Sequence, residues 1–343
     1  MAPGLGWGFA PVSPHRGLKA QSVSVHLKPY IPDNHAMHLL IPFAFCSAEA
    51  CGQALRRLDL PHVQQLLSRL TPQALDAGDV FSLSPPHERA LARASGLPAS
   101  DGLIPWAALQ AGDSQGHWGF ITPCHWQIGA HHIAMGSREL PDFSPAESQA
   151  LLAAMRPYFE EDGLHLQEDT PGRWLAQGPM LADLATASLD RIVGRNLENW
   201  MPRTGQAAPL RRLQSEMQML LYTHPVNEAR LQRGLPAVNS FWLSGTGALP
   251  ASPGQISTLP EVDQRLRDAA LQDDWAAWAS AWQQLDAQAC AALLARLNNG
   301  EDVTLTLCGE RHAQTFTRQP RGLGQTLKRW LNRQPAFPLI ENL

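Results

Sequence analysis

The chain has 343 residues, 44% of them apolar and 17% charged, and its 27 basic and 31 acidic side chains leave a net charge of −4. That balance provides no electrostatic footprint for nucleic acid, and no apolar run approaches the roughly 20 residues of a membrane span. Cysteines 46, 51, 124, 290 and 308 are odd in number and form no CxxC pair, which argues against a secreted disulfide scaffold or a zinc ribbon and for a cytoplasmic globular protein.

Residues 1–37 are rich in Gly, Pro and Ser, lack the apolar stretch of a signal peptide, and read as a loose N-terminal extension. From His38 the run HLLIPFAFC predicts a short buried strand. Helices are expected over 48–58 and 62–70, and a third opens at Ser84-Pro85-Pro86, with Ser84 as its cap, and closes near Gly96. The texture changes near 117. There HWGFITPCHWQIGAHHIAMG predicts two strands joined around 123–127, and Ser144 with Glu147 forms a capping box for a helix ending by Pro157. Short strands follow at 164–166 and 173–175, then helical segments at 210–221 and 227–231 with Gly234 as a stop. Residues 246–262 read as a connector, 274–297 as one long helix and 303–308 as a buried strand.

The most specific stretch is His224-Pro225-Val226-Asn227-Glu228-Ala229-Arg230, followed by Gly234, Asn239 and Gly245-Thr246-Gly247. Asn227 and Arg230 share one helical face, and an Arg fork beside an amide holds a phosphate or carboxylate bidentately. Equally open is a bland reading, in which Asn227 caps its helix and Arg230 is a solvated charge. His125, His131 and His132 read as ordinary polar histidines, because adjacent residues on a strand point to opposite faces. His87-Glu88-Arg89 reads as a surface ion-paired helix start, against the alternative of an acid/base pair. Cys46 and Cys308 read as inert core thiols. Trp275, Trp278 and Trp282 recur on one helical face, either as core or as cover for a partner.

The Asn227–Gly247 pattern resembles that of archaeal-type cofactor-independent phosphoglycerate mutases of the alkaline phosphatase superfamily. Upstream, Leu189-Asp190-Arg191-Ile192-Val193-Gly194 with Trp200-Met201-Pro202, Gly119-Phe120-Ile121-Thr122-Pro123, and Gly172-Arg173-Trp174-Leu175 resemble further segments of that family. From about residue 38 the chain also resembles the RpfE-type regulatory proteins of proteobacteria, through Leu39-Leu40-Ile41-Pro42-Phe43-Ala44, Leu83–Ala92, Asn239-Ser240-Phe241-Trp242 and Leu305–Arg311. The resemblance implies an α/β fold: an alkaline-phosphatase-like core sheet flanked by helices from 38–116 and 248–343, and a smaller inserted α+β domain over 117–247.

It also implies two divalent metals held by Asp and His, and a phosphoryl-accepting Ser. Here the sequence departs from the pattern. Ile41-Pro42-Phe43 offers no ligand after the first strand, no Gly-Ser-Asp occurs over 83–96, no histidine lies between His224 and His312, and Gly309-Glu310-Arg311 stands where the family has Gly-Asp-His. The expectation is a phosphoglycerate-mutase-like regulatory protein with a degenerate metal site, in which Arg173, Asn227, Arg230 and Asn239 bind a small phosphorylated or carboxylate ligand. No catalytic residue or metal ligand is assigned and no cofactor is expected. One alternative is an active mutase or phosphohydrolase using Mn or Zn; the other is a non-catalytic module for a protein partner.

Overall fold

The computed structural model describes residues 37–129, 132–250, 259–318 and 336–343. The N-terminal extension up to 36, His131 and residues 251–258 of the 246–262 connector lie outside the described residues. The structure is α/β, with a central sheet flanked by helices and a second, antiparallel sheet. The strands are β1 (Met37–Ile41), β2 (Thr71–Pro72), β3 (Trp118–Cys124), β4 (Trp126–Ile128), β5 (Ile133–Met135), β6 (His165–Thr170), β7 (Arg173–Gln177), β8 (Ser240–Gly247), β9 (Glu261–Val262), β10 (Val303–Cys308) and β11 (Ala313–Thr317).

The first sheet has the order β2-β11-β10-β1-β9. β1 runs parallel to both β10 and β9, in a register that sets Met37 against Val303 and Ile41 against Leu307, while β11 is antiparallel to β10. A strand covered on both faces reads as a continuous apolar run, and Leu39-Leu40-Ile41 of β1 does. Leu39, Ile41, Leu305 and Leu307 face the large core made with helices Glu49–Arg56, Pro61–Arg69 and Trp275–Leu285. Leu40 and Cys308 face the other way, toward Ala90 and Leu91 of helix Pro86–Ala94.

The second sheet has the order β6-β7-β3-β8 and is antiparallel throughout. Its period-2 alternation divides the side chains. Ile121, Trp174, Ala176, Phe241 and Leu243 join the core under helices Pro145–Glu161 and Ala208–Tyr222, so Phe120, Thr122, Arg173 and Ser244 belong to the opposite face. The first sheet draws on 37–72 and 261–317, the second on 118–247.

Several boundaries differ from the sequence-based expectation. β1 stops at Ile41 because Phe43 takes φ 55°, and the chain turns so that the Ala44 amide donates to Cys308 O at 2.8 Å. Trp278 and Trp282 are fully buried against that turn, their Nε1 atoms donating to Phe43 O (2.9 Å) and Ala44 O (3.3 Å). The tryptophan stripe is core. Ser84 is not a helix cap: Pro85 takes that position, and Ser84 Oγ instead accepts from the Gly102 amide at 2.9 Å.

Pro123 does not break a strand, since β3 runs through it to Cys124, and β4 and β5 form a separate hairpin. Pro157 lies inside helix Pro145–Glu161, on an exposed face where water can reach the carbonyl that loses its donor. The Ser144–Glu147 capping box is present with both bonds. The long helix from 275 carries a π-turn at Asp286–Cys290. That turn aims the buried Asp286 carboxylate at the amides of His62 (3.3 Å) and Val63 (2.8 Å), which start an otherwise uncapped helix.

Candidate functional site

The face of the second sheet that carries Phe120, Thr122 and Arg173 borders a cleft of two adjoining cavities, of about 290 and 320 Å³. Both are lined by Thr122, Arg138, Arg173 and Leu189. Arg138 enters from the loop after β5, its Nη1 lying 3.6 Å from Asp190 Oδ1. The Arg173 guanidinium stacks 4.6 Å over the Phe120 ring centroid, and its Nε donates to Asp169 at 2.7 Å. Thr122 is 6% exposed, and its Oγ1 has no hydrogen-bond partner among the described residues. A buried hydroxyl left unpaired costs about 1–3 kcal/mol. Arg138 and Arg173, on the wall that both cavities share, are donors suited to an oxyanion.

Behind this cleft lies a polar cluster. Ser188 Oγ donates to Glu88 Oε1 at 2.5 Å and Trp106 Nε1 to Glu88 Oε2 at 3.3 Å. Burial, aided by the charge of Asp190, pushes the Glu88 carboxyl above its ordinary value, against the downward pull of His87, Ser188 and Trp106. His87 Nε2 lies 3.0 Å from Asp190 Oδ2. The 87–89 segment is therefore no exposed ion-paired helix start, as its sequence suggested: His87 turns in to the buried Asp190, and Arg89, 5% exposed, pairs with Asp76 at 3.4 Å.

His87, Glu88 and Asp190 offer three ligand atoms within 4.8 Å of one another. The sequence alone revealed no such group, because Asp190 is about a hundred residues from His87. The set does not fit a divalent cation. Both Asp190 oxygens are taken by Arg267, with Nε to Oδ2 at 2.9 Å and Nη2 to Oδ1 at 2.5 Å, and Arg138 stands beside them. Glu88 resists giving up its proton. A dication here would displace or face two guanidinium charges.

The C-terminal ends of parallel strands are where α/β sheets place ligands. At the ends of β1 and β10 this chain places arginines. The Glu310 carboxylate accepts from the Ser47 amide at 3.1 Å and the Ser47 hydroxyl, and pairs with Arg195. Burial pushes the Glu310 carboxyl up, but these partners outweigh it and hold it below the ordinary value. Arg191, 2% exposed, donates through Nη1 to Glu310 O at 2.8 Å, while Nε and Nη2 have no partner among the described residues. Burial, with Arg195 and Arg89 nearby, lowers its pKa to about 10.

The four residues expected to bind a ligand separate into two groups. Arg173 alone borders the cleft. Asn227 is buried and clamps the chain: its Nδ2 donates to Leu221 O and Val238 O, and its Oδ1 accepts from the Val238 amide, all at 2.7 Å. Its helix is capped by His224 instead, whose ring accepts from the Val226 amide. Arg230 is fully buried, donating to Pro236 O and Pro141 O at 2.9 Å each and pairing with Glu147 at 3.4 Å. It is no solvated charge. Asn239 pairs with the Trp126 backbone through both ends of its amide, at 2.7 and 2.8 Å. Three of the four thus spend their polar atoms on the chain itself.

Arg138, Thr122, Glu88 and Ser188 were not among the expected binding residues. Of these, Thr122 and Glu88 lie in segments that the sequence singled out, but nothing local distinguishes Arg138 from any loop arginine. His125 Nδ1 is bonded to Ala237 O at 2.7 Å, and His132 is exposed, so these two serve no common site. All five cysteines are buried and free. No described helix is long and apolar enough to cross a membrane.

No family model and no curated protein matches the chain. Among solved structures it is similar to the cofactor-independent phosphoglycerate mutase of Thermoplasma acidophilum, at 13% identity over 82% of this chain and 89% of that one, with a TM-score of 0.34. It is also similar to the PH0037 protein of Pyrococcus horikoshii, at 12% identity over 82% and 87% of the two chains, with a TM-score of 0.41. These are distant likenesses in fold and assign no residue.

Proposed function

We propose that this is a phosphoglycerate-mutase-like regulatory protein, of the RpfE type by sequence resemblance, that binds a small phosphorylated or carboxylate ligand without metal chemistry. The ligand site is the cleft at Arg138 and Arg173, between the core domain (38–116 and 248–343) and the inserted domain (117–247). The observation that carries the reading is the pair of guanidinium groups, Arg138 and Arg173, on the wall shared by the two cavities. The loss of metal chemistry is supported by the arginines that hold Asp190 and Glu310. Asn227, Arg230 and Asn239 shape the inserted domain around the site, and Arg173 contacts the ligand.

Calorimetric titration with inorganic phosphate and 3-phosphoglycerate tests this reading. Binding that disappears in Arg138→Ala supports it, and absence of binding by either anion sinks it. Stoichiometric Mn or Zn in the purified protein, together with phosphoglycerate turnover, would establish the active enzyme instead. A second reading, an interaction module for a protein partner, draws on one patch: Ile128, Tyr222 and Leu231 are 83%, 88% and 64% exposed beside one another. Self-association that Ile128→Ser abolishes, measured by sedimentation, would favour it.

A further inference from the structure

The two cavities are unlike one another. Beyond the shared wall, the larger is walled by Leu91, Trp106, Leu109 and Phe120. Of these, Leu109 is 39% exposed and the rings of Trp106 and Phe120 are only half-buried. Half-covered aromatic faces inside a concave site gain free energy from a flat apolar partner and little from a hydroxylated chain. Gly245 keeps this lobe open to its rings. It sits at φ 68°, and a Cβ there would fall 2.8 Å from Phe120 Cδ2 and 3.4 Å from Trp106 Cβ.

The smaller cavity carries Glu139 on its wall, so a second anionic group reaching into it would meet a like charge. Glu88 borders the larger cavity. Its two oxygens are engaged by Ser188 Oγ and Trp106 Nε1, and burial raises its carboxyl above the ordinary value. The Arg173 guanidinium, lying on the Phe120 ring, marks the boundary where the anionic end stops and the apolar lobe starts.

We infer that the cleft selects a singly phosphorylated or carboxylated compound whose anionic group is carried on a flat apolar ring, over a short hydroxylated acid with two anionic groups. The oxyanion meets Arg138 and Arg173, and the ring fills the lobe between Trp106 and Leu109. A lobe of about 320 Å³ lies in the size range of sites that enclose compounds larger than a three-carbon acid. This inference rests on the anion-binding reading of the cleft.

The test is calorimetry at pH 7 with three probes: inorganic phosphate, phenyl phosphate and 3-phosphoglycerate. Phenyl phosphate is expected to bind about tenfold more tightly than either of the others. Leu109→Ser, at a position exposed enough to be tolerated, is expected to cut the preference of phenyl phosphate over inorganic phosphate about threefold or more, with circular dichroism confirming that the variant is folded. If 3-phosphoglycerate binds as tightly as phenyl phosphate or more tightly, the ring selectivity is overturned while the anion site stands. If none of the three binds, the anion-binding reading falls and this inference with it.

Discussion

Arg267 grips Asp190 with two parallel hydrogen bonds, Nε to Oδ2 at 2.9 Å and Nη2 to Oδ1 at 2.5 Å, on a carboxylate that is 3% exposed at its side chain. His87 and Arg138 approach the same carboxylate. A guanidinium fork here does what a bound cation does elsewhere: it neutralises a buried acid and fixes its orientation.

Removing that fork tests its contribution. In Arg267→Ala the Asp190 charge keeps, among the described residues, His87 and the more distant Arg138, so unfolding in urea is expected to lose about 2–3 kcal/mol. Added Mn or EDTA is expected to leave the melting temperature of the unaltered protein within about 1 °C, since a ligand stabilises only if it binds the folded state. A rise with Mn confined to Arg267→Ala would show that the guanidinium was the obstacle.

Glu88 imposes a pH dependence of defined sign. Its carboxyl sits above the ordinary 4.5 because burial disfavours the charged form. The folded protein therefore binds this proton more tightly than the unfolded chain. The associated stability is complete below 4.5 and is lost as pH rises through the folded value. Calorimetric melting from pH 4.5 to 8 is expected to show a smaller decline for Glu88→Gln than for the native protein.

Asn227 and Arg173 are expected to fail in opposite ways. Asn227→Ala leaves Val238 O and the Val238 amide unpaired in the interior, while Leu221 O keeps the His224 amide, and the loss is expected to cost about 2–4 kcal/mol of stability. Arg173 has a side chain 39% exposed, and its ion pair with Asp169 contributes little to stability. Arg173→Ala is expected to weaken phosphate binding about tenfold while the urea midpoint hardly moves.

Arg191 is a buried cation with two arginine neighbours, and its Nε and Nη2 have no partner among the described residues. Replacing it by Met removes the desolvation cost and the repulsion while keeping most of the volume. Arg191→Met is expected to stabilise the protein by about 1 kcal/mol, read from chemical denaturation. A loss of several kcal/mol would mean that the guanidinium is compensated in the folded protein.

Much of the framework was legible because its causes are local. The apolar LLI run specifies a strand buried on both faces, and Leu39–Ile41 of β1 is one. Ser144 and Glu147 cap a helix through bonds three residues apart, and the 275/278/282 spacing places three tryptophans on one face of a helix. Alternation within β3 and β7 likewise separates Thr122 and Arg173 from the core residues beside them.

What the sequence could not decide was which way a polar residue's bonds run. Asn227 and Arg230 have the composition of a ligand fork, yet each is answered by carbonyls and a carboxylate from elsewhere in the fold: Val238 for the one, Pro141 and Glu147 for the other. Whether an Arg faces solvent or is sealed inside depends on partners tens of residues away, and no local pattern encodes them. The same holds for the site. Glu88, Thr122, Arg138, Arg173 and Ser188 come from helix, strand and loop over a hundred residues of chain. Local sequence determined the elements and their apolar faces, because period and capping act within a few residues. Only the packing of the two sheets and their helices brought two guanidinium groups and an aromatic wall to a single cleft.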